Sequence, residues 1–398
     1  MQSTCIIGGG PAGMMLGFLL ARAGLPVTVL EKHQDFFRDF RGDTIHPSTL
    51  ELLNELGLYE KFLAVPHTQV TSLSAIVGGR KFAMADFSHL RTRAKFIALM
   101  PQWDFLNFLA AEAKQYPSFT LRMGWDVTDV TERDGVVTGV RAQTPEGPQE
   151  IAADLTVGCD GRHAMSRAAA HLKVIEEGVP IDVLWFHIAR QDSDPENALG
   201  YANFGRLVIL INRREYFQVG FLIAKGDYEK IQQRGLPEFQ QELERIVPFL
   251  AGRAGEIDGW EKIKLLTIQV NHLERWSSPG LLCIGDAAHA MSPVGGIGIN
   301  IALQDAVATA NRLTARLLAG TVGHDDLDGV QRYREGVMRN TQRVQIVAHG
   351  ILDRVLRDPG PLTPPWQLRL ATRIPGFQRL TARFIGLGLQ PQHIEAST

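Results

Sequence analysis

Thr4-Cys5-Ile6-Ile7-Gly8-Gly9-Gly10-Pro11-Ala12-Gly13 decides the fold of this chain. A short apolar strand, Thr4–Ile7, runs directly into consecutive glycines. A helical pattern follows, with Met14, Met15, Phe18, Leu19 and Ala21 apolar and Gly24 as its stop. Val27–Leu30 then reads as a second strand, ended by Glu31. The whole is a βαβ opening with a Gly-x-Gly-x-x-Gly turn at its first strand–helix junction. Gly8 permits the tight turn, Gly10 lets the backbone approach a pyrophosphate, and Gly13 lets helix pack closely on strand. The helix N-terminus adds free N–H groups and a positive dipole end. Glu31 stands 18 positions after Gly13, where a carboxylate can accept ribose hydroxyls.

A second glycine-rich stretch, Gly285–Asn300, reads GDAAHAMSPVGGIGIN. It follows the buried strand Leu281–Ile284 and precedes a helix predicted over Gly298–Leu318. On that helix Leu303, Ala306, Val307, Ala310, Leu313 and Leu317 recur at helical spacing. Asp286 can accept hydrogen bonds from a polyol chain. Gly295, Gly296 and Gly298 let backbone run close to a flat ring, and the helix N-terminus points at it. Taken alone, the stretch also fits a turn that caps a helix. A third motif, Cys159-Asp160-Gly161-Arg162, closes the apolar strand Leu155–Cys159, with Arg167 nearby. By itself it is an ordinary Asp-Gly turn. Two glycine sites far apart in sequence suggest one extended dinucleotide gripped at both ends.

The 398 residues are long enough for a large core or two domains. A formal net charge of −2 argues against non-specific nucleic-acid binding, which needs a basic surface, and leaves room for a local basic patch. Cys5, Cys159 and Cys283 have no metal-ligand or CxxC spacing and read as buried thiols in a reducing compartment, so no metal is expected. The first strand leaves no room for a signal peptide, and no apolar run approaches the roughly 18 residues of a membrane span. A soluble, cytoplasmic protein is expected.

Further along, Ser48–Leu56 reads as a helix that Ser48 can N-cap, closed by Gly57, and Trp103–Tyr116 reads as another. Asp134-Gly135 signals a hairpin. Between residues 181 and 270 the pattern is mostly strand: Val183–Ala189, Leu207–Ile211, Tyr216–Ile223 and Ile263–Val270, with a helix near Pro237–Ile246. The tail from Val337 is helical, interrupted by the proline- and glycine-rich Asp358–Pro365. Phe377, Leu380, Phe384 and Leu387, with Arg379 and Arg383, form a mildly amphipathic basic stretch. It is expected to pack on its own domain or a twin subunit rather than on a membrane, which leaves a homodimer open.

The three motifs, in this order along nearly the whole chain, resemble the class A flavoprotein monooxygenases, the group typified by para-hydroxybenzoate hydroxylase. The resemblance implies an α/β fold: a Rossmann-like FAD-binding domain of the GR2 type, an inserted, mostly antiparallel substrate sheet and a helical C-terminal tail. The implied division gives residues 1–75, 96–180 and 271–335 to the FAD domain, 76–95 and 181–270 to the sheet, and 336–398 to the tail. By resemblance, Gly8, Gly10, Ala12, Gly13, Glu31 and Lys32 form the adenosine and pyrophosphate fingerprint. Arg41 corresponds to an arginine that contacts the flavin, and Gln102 to a glutamine near the ribityl chain. Val127 lies where the family holds adenine by backbone. Asp160 falls on the motif linked to both FAD and NAD(P)H, and Asp286 on the acid of the ribityl–phosphate region. Pro293 lies near the reactive face, and Gly298, Ile299 and Asn300 along the pyrimidine edge. One departure is visible: the family has serine in its Asp-Gly-x-x-Ser pattern, where this chain has Ala164.

The implied activity is hydroxylation of a small, aromatic or polycyclic, electron-rich substrate with NAD(P)H and O2, through a C4a-hydroperoxyflavin. NAD(P)H would visit transiently, since there is no second glycine fingerprint for it. Strand alternation puts Trp185 and His187 on one face, and Tyr216, Gln218 and Gly220 on one face. His187, Gln218 and Pro293 are the substrate-orienting candidates; no general base is demanded. His289 reads as a structural hydrogen-bonding residue. A flavin-dependent reductase or desaturase, or a non-catalytic flavin-binding sensor, would also suit the fold.

Overall fold

The computed structural model describes residues 1–37, 44–195 and 199–395; Arg41 lies outside them. Its architecture is mixed α/β with several sheets. A six-stranded sheet has the order Ser277–Ser278, Leu281–Cys283, Leu155–Gly158, Thr4–Ile7, Val27–Glu31, Phe119–Met123. The last five are parallel, with Thr4 in register with both Leu155 and Val27. A parallel sheet is covered on both faces. Accordingly every residue of Thr4–Ile7, Leu155–Gly158 and Leu281–Cys283 is buried.

The helix Pro11–Arg22 covers one face and buries Ala12 through Ala21. It packs against the helices Gln102–Ala113 and Gly298–Ala319. Close approach is achieved by removing side chains. A Cβ on Gly13 would stand 2.0 Å from the Gly8 carbonyl oxygen, and one on Gly17 2.7 Å from Val29. The role assigned to Gly13 is thus visible as helix-to-strand contact. Asp134-Gly135 forms the expected hairpin, both residues left-handed at φ 53° and 76°, as a type I′ turn requires.

A seven-stranded sheet is ordered Lys264–Leu266, Ile181–Ala189, Tyr216–Ala224, Arg206–Asn212, Leu199–Asn203, Ser72–Val77, Arg80–Asp86. Phe186, Ile188, Phe217, Val219 and Phe221 form a core on one face with the helix Leu236–Ile246. The single strand expected over Ile263–Val270 is two, in different sheets: Lys264–Leu266 and Val270–Leu273. The cause is local. Asp182 accepts from the Ile268 N–H at 3.0 Å and Lys225 donates to the Ile268 carbonyl at 2.7 Å, which takes that backbone out of the sheet.

The expected boundaries at 75/76, 270/271 and 335/336 each cut an element: Ser72–Val77, Val270–Leu273 and the 34-residue helix His324–Arg357. The helix expected from Ser48 starts at Pro47 with His46 as N-cap, because proline at the first helical position is preset in φ. Ser48 instead accepts from Gln304 at 3.3 Å. After Arg357 come two short helices, Trp366–Ala371 and Phe377–Leu387.

Gly13→Ala should therefore destabilise the fold by about 2–4 kcal/mol through overpacking at the first strand–helix junction. Urea unfolding checks this, and an unchanged midpoint would contradict it.

Candidate cofactor and active site

The three motifs meet outside the C-terminal ends of the parallel strands, the usual ligand crevice of such sheets. Gly8 adopts φ 102°, and a Cβ there would lie 2.5 Å from the Cys159 carbonyl oxygen. The first turn thus lies directly on the strand end that carries Asp160. Glu31 accepts from the Gly9 N–H at 3.0 Å and from the His33 N–H at 3.1 Å, which fixes its carboxylate at the tip of the second strand. Asp286 accepts from Arg162 Nε at 3.2 Å, tying the late motif to the middle one. Arg167 adds a bond to the Ala287 carbonyl at 3.4 Å and another to the Arg162 carbonyl.

Asp160 is nearly buried, and burial pushes its carboxyl up against the opposing bonds from Ser166. Ser166 Oγ donates to it at 2.6 Å and Ser166 N–H at 2.9 Å. Position 164 is alanine, and the hydroxyl that reaches Asp160 comes from Ser166.

Around this junction several glycines face open space. A Cβ on Gly10 or Gly161 would meet nothing within 4 Å, and one on Gly298 would meet only Met291 at 3.9 Å. The helices starting at Pro11 and Gly298 have no side-chain cap. Their first N–H groups have no partner within the helix. Two uncapped N-termini beside glycines that leave room fit a long, doubly anionic ligand. Ala12 is buried beneath the turn, Lys32 is exposed, and Gln102 opens the helix packed on Pro11–Arg22. The Val127 side chain is committed to a core with Cys5, Ile7 and Leu30, so only its backbone can serve a ligand. Pro293 precedes a tight turn in which Gly295 and Gly296 have φ 83° and 64°. Ile299 is half-buried.

Asn300 differs from its neighbours. Its side chain accepts from the His46 N–H at 2.9 Å and Thr49 Oγ1 at 2.7 Å, and donates to the Thr44 carbonyl at 3.2 Å. It thus fastens the 44–49 segment and leaves its backbone for the crevice. His46 is fully buried and its Nδ1 donates to the Ile385 carbonyl at 2.7 Å.

Beneath the crevice lies a network that the sequence reading missed. Asp305, buried on the Gly298–Ala319 helix, accepts from Arg334 Nε at 2.9 Å and pairs with His289 Nε2 at 2.6 Å. It also accepts from the Gly285 N–H at 3.3 Å. Burial would raise its carboxyl, but His289 and Arg334 outweigh that and hold it below the usual range. His289 has the structural role expected of it, lying 4.9 Å from the buried Trp276 ring. The long helix continues the support. Gln342 donates to the Asn271 and Ala290 carbonyls. Gln345 donates to those of Ser292 and Val294, and His349 meets Ser292 Oγ at 2.6 Å. The available signals were Asp305 inside an apolar stripe and a polar stripe at helical spacing.

Of the three orienting candidates, His187 and Gln218 lie on the seven-stranded sheet, while Pro293 stands in the turn before Gly298. His187 and Gln218 are directly opposite on neighbouring strands. His187 is exposed, its ring 4.5 Å from that of Tyr216. Gln218 is buried and accepts from Arg213 at 3.3 Å. Burial raises the Asp104 carboxyl, and the Arg213 charge opposes the rise, which puts this part of the sheet near the helix that Gln102 opens. Trp185 lies over Gly220, where a Cβ would come within 2.9 Å of its ring.

Residues 1–344 match the family described as FAD binding domain, and the chain belongs to that family. The 6-methylpretetramide 4-monooxygenase of Streptomyces rimosus is 28% identical over 392 residues, covering 96% of this chain and 91% of that protein. The 12-dehydrotetracycline 5-monooxygenase/anhydrotetracycline 6-monooxygenase of Streptomyces rimosus subsp. rimosus is 27% identical over 375 residues, covering 89% and 70%. Among solved structures, p-nitrophenol 4-monooxygenase PnpA from Pseudomonas putida DLL-E4 shares the fold, with a TM-score of 0.79 and 19% identity over 98% of each chain.

Two outcomes are expected. Arg334→Met leaves a buried carboxylate short of its partner and should cost about 3–5 kcal/mol, while adding Asp305→Leu should recover part of the loss. Urea unfolding of both variants decides this; a neutral single variant would contradict it. Burial lowers the His46 pKa from 6.5 to about 4. The unfolded chain takes up this proton near pH 6.5 and the folded chain only near pH 4, so stability is full above that window and falls as pH drops through it. The total loss from this group is about 3 kcal/mol. His272 and His349 shift the same way through burial. Stability titrations of the native chain and His46→Gln should differ most across this window, with the variant flatter.

Proposed function

We propose that this protein is an FAD-dependent monooxygenase that uses NAD(P)H and O2 to hydroxylate a small aromatic or polycyclic substrate. The convergence of Gly8–Glu31, Asp160 and Asp286–Gly298 on one crevice carries the reading. FAD, when bound, supplies hydride acceptance from NAD(P)H and activation of O2. The chain supplies binding and orientation. Gly8, Gly10 and Gly13 with the helix N-terminus at Pro11 hold the pyrophosphate, and Glu31 holds the ribose. Arg162 orients Asp286 toward the ribityl chain. The N–H groups from Gly298 to Asn300 stabilise negative charge on the pyrimidine edge of the ring. Val127 would contribute backbone, Gln102 would contact the cofactor and Pro293 would border the reacting face; Arg41, outside the described residues, is assigned to the flavin by the resemblance alone. Lys32 remains at the solvent edge of the adenosine site.

The FAD-binding part is read as the GR2 type, with the seven-stranded sheet as the inserted substrate-binding part. Of the orienting candidates, Gln218 is preferred over His187, because it is buried and held by Arg213. The substrate class is supported by the 6-methylpretetramide 4-monooxygenase that matches 96% of this chain and by the anhydrotetracycline 6-monooxygenase relative.

A screen of aromatic and polycyclic compounds should find one that stimulates NAD(P)H oxidation with matching O2 uptake and yields a product one oxygen atom heavier. Reduction of the compound without O2 uptake would overturn the reading in favour of a reductase.

A further inference from the structure

The long helix His324–Arg357 is amphipathic in the inverted sense. At about 100° per residue, Gln342, Gln345 and His349 share one face, and Val344, Val347 and Ile351 share the opposite one. The polar set is buried, because it holds the Ala290–Val294 backbone. The apolar set faces outward, with Val347 68% and Ile351 56% exposed. The next helices continue the pattern: Trp366 is 67%, Leu370 54% and Leu380 70% exposed. Of the thirteen strongly exposed large apolar residues among those described, eight lie between Val344 and Leu389. The expectation that Phe377–Leu387 packs on its own domain holds for the face carrying Ala382 and Gly386, not for the one carrying Leu380.

The same segment is strongly basic. Residues 337–390 hold eight arginines and two aspartates, in a chain whose net charge is −2. Among the described residues, Arg339 and Arg357 pair with Glu335 and Asp353. Arg369, Arg373 and Arg383 are exposed, and no ion pair to a carboxylate among the described residues holds them. Arg369 and Arg373 alternate with Trp366, Leu370 and Ile374 at helical spacing.

We propose that this face docks on an anionic lipid surface. Exposed tryptophan and aliphatic side chains interleaved with unpaired arginines are the composition of interface-lying helices. A second copy meeting the same face would oppose arginine to arginine. The contact is peripheral, since no helix among the described residues is long and apolar enough to cross a membrane.

The test uses the full FAD-loaded protein in vesicle flotation. It should bind mixed phosphatidylcholine–phosphatidylglycerol vesicles, release as salt rises, and ignore pure phosphatidylcholine. The paired exposed changes Trp366→Ser with Leu370→Ser, and separately Arg369→Glu with Arg373→Glu, should each weaken binding on the order of tenfold with unchanged unfolding midpoints. Three results would overturn it: no flotation with anionic vesicles, equal salt-insensitive flotation with neutral ones, or binding unmoved by both pairs. A concentration-dependent dimer dissolved by Trp366→Ser with Leu370→Ser would assign the face to a second copy instead. The outcome is independent of whether the protein oxygenates a substrate.

Discussion

Asp305 holds the late glycine motif in place. Three separate groups reach its buried carboxylate: Arg334 from the long helix, His289 from the short strand His289–Ala290 inside the motif, and the Gly285 N–H from the start of the motif. Isolated, such a carboxylate would be strongly disfavoured by desolvation. Paired from both sides it becomes a fixed point. The short path from Gly285 to His289 is strung between these bonds, and that path carries Asp286. The position of Asp286 against Arg162 therefore follows from groups that touch no ligand. Supporting shells of this kind fix orientation.

The same logic divides the molecule by what glycine does in it. At Gly8 and Gly13 the missing side chain is filled by backbone, so the glycine turn is a packing device. At Gly10, Gly161 and Gly298 the missing side chain leaves room. A sequence motif does not distinguish these uses; atomic neighbours do. Packing glycines fix where the first turn lies, and open ones make it a place where a pyrophosphate can lie against bare N–H groups.

Much of this was legible beforehand for physical reasons. The parallel strands are buried on both faces, so Thr4–Ile7, Val27–Leu30 and Leu155–Cys159 announced themselves as apolar runs ending in glycine or acid. The hairpin at Asp134-Gly135 was legible because few dipeptides tolerate two left-handed residues. The strands at one end of the seven-stranded sheet, Ser72–Val77, Arg80–Asp86 and Leu199–Asn203, were harder to read, being partly exposed or mixed in polarity. The break at Thr267–Gln269 could not be read, because Asp182 and Lys225, distant in sequence, cause it. The support beneath the crevice escaped for a related reason. Gln342, Gln345 and His349 look like the solvent face of a helix, and only tertiary structure reveals that this face points inward.

Ser166 carries a last consequence. It stands two positions from where the pattern puts a serine, yet its hydroxyl and its amide both reach Asp160. Both groups come from the first turn of the Met165–Ala169 helix, so a single residue supplies two bonds to a nearly buried carboxyl. Loss of the Ser166 hydroxyl would leave the Asp160 carboxyl with backbone donors only, in a site where burial already disfavours its charge.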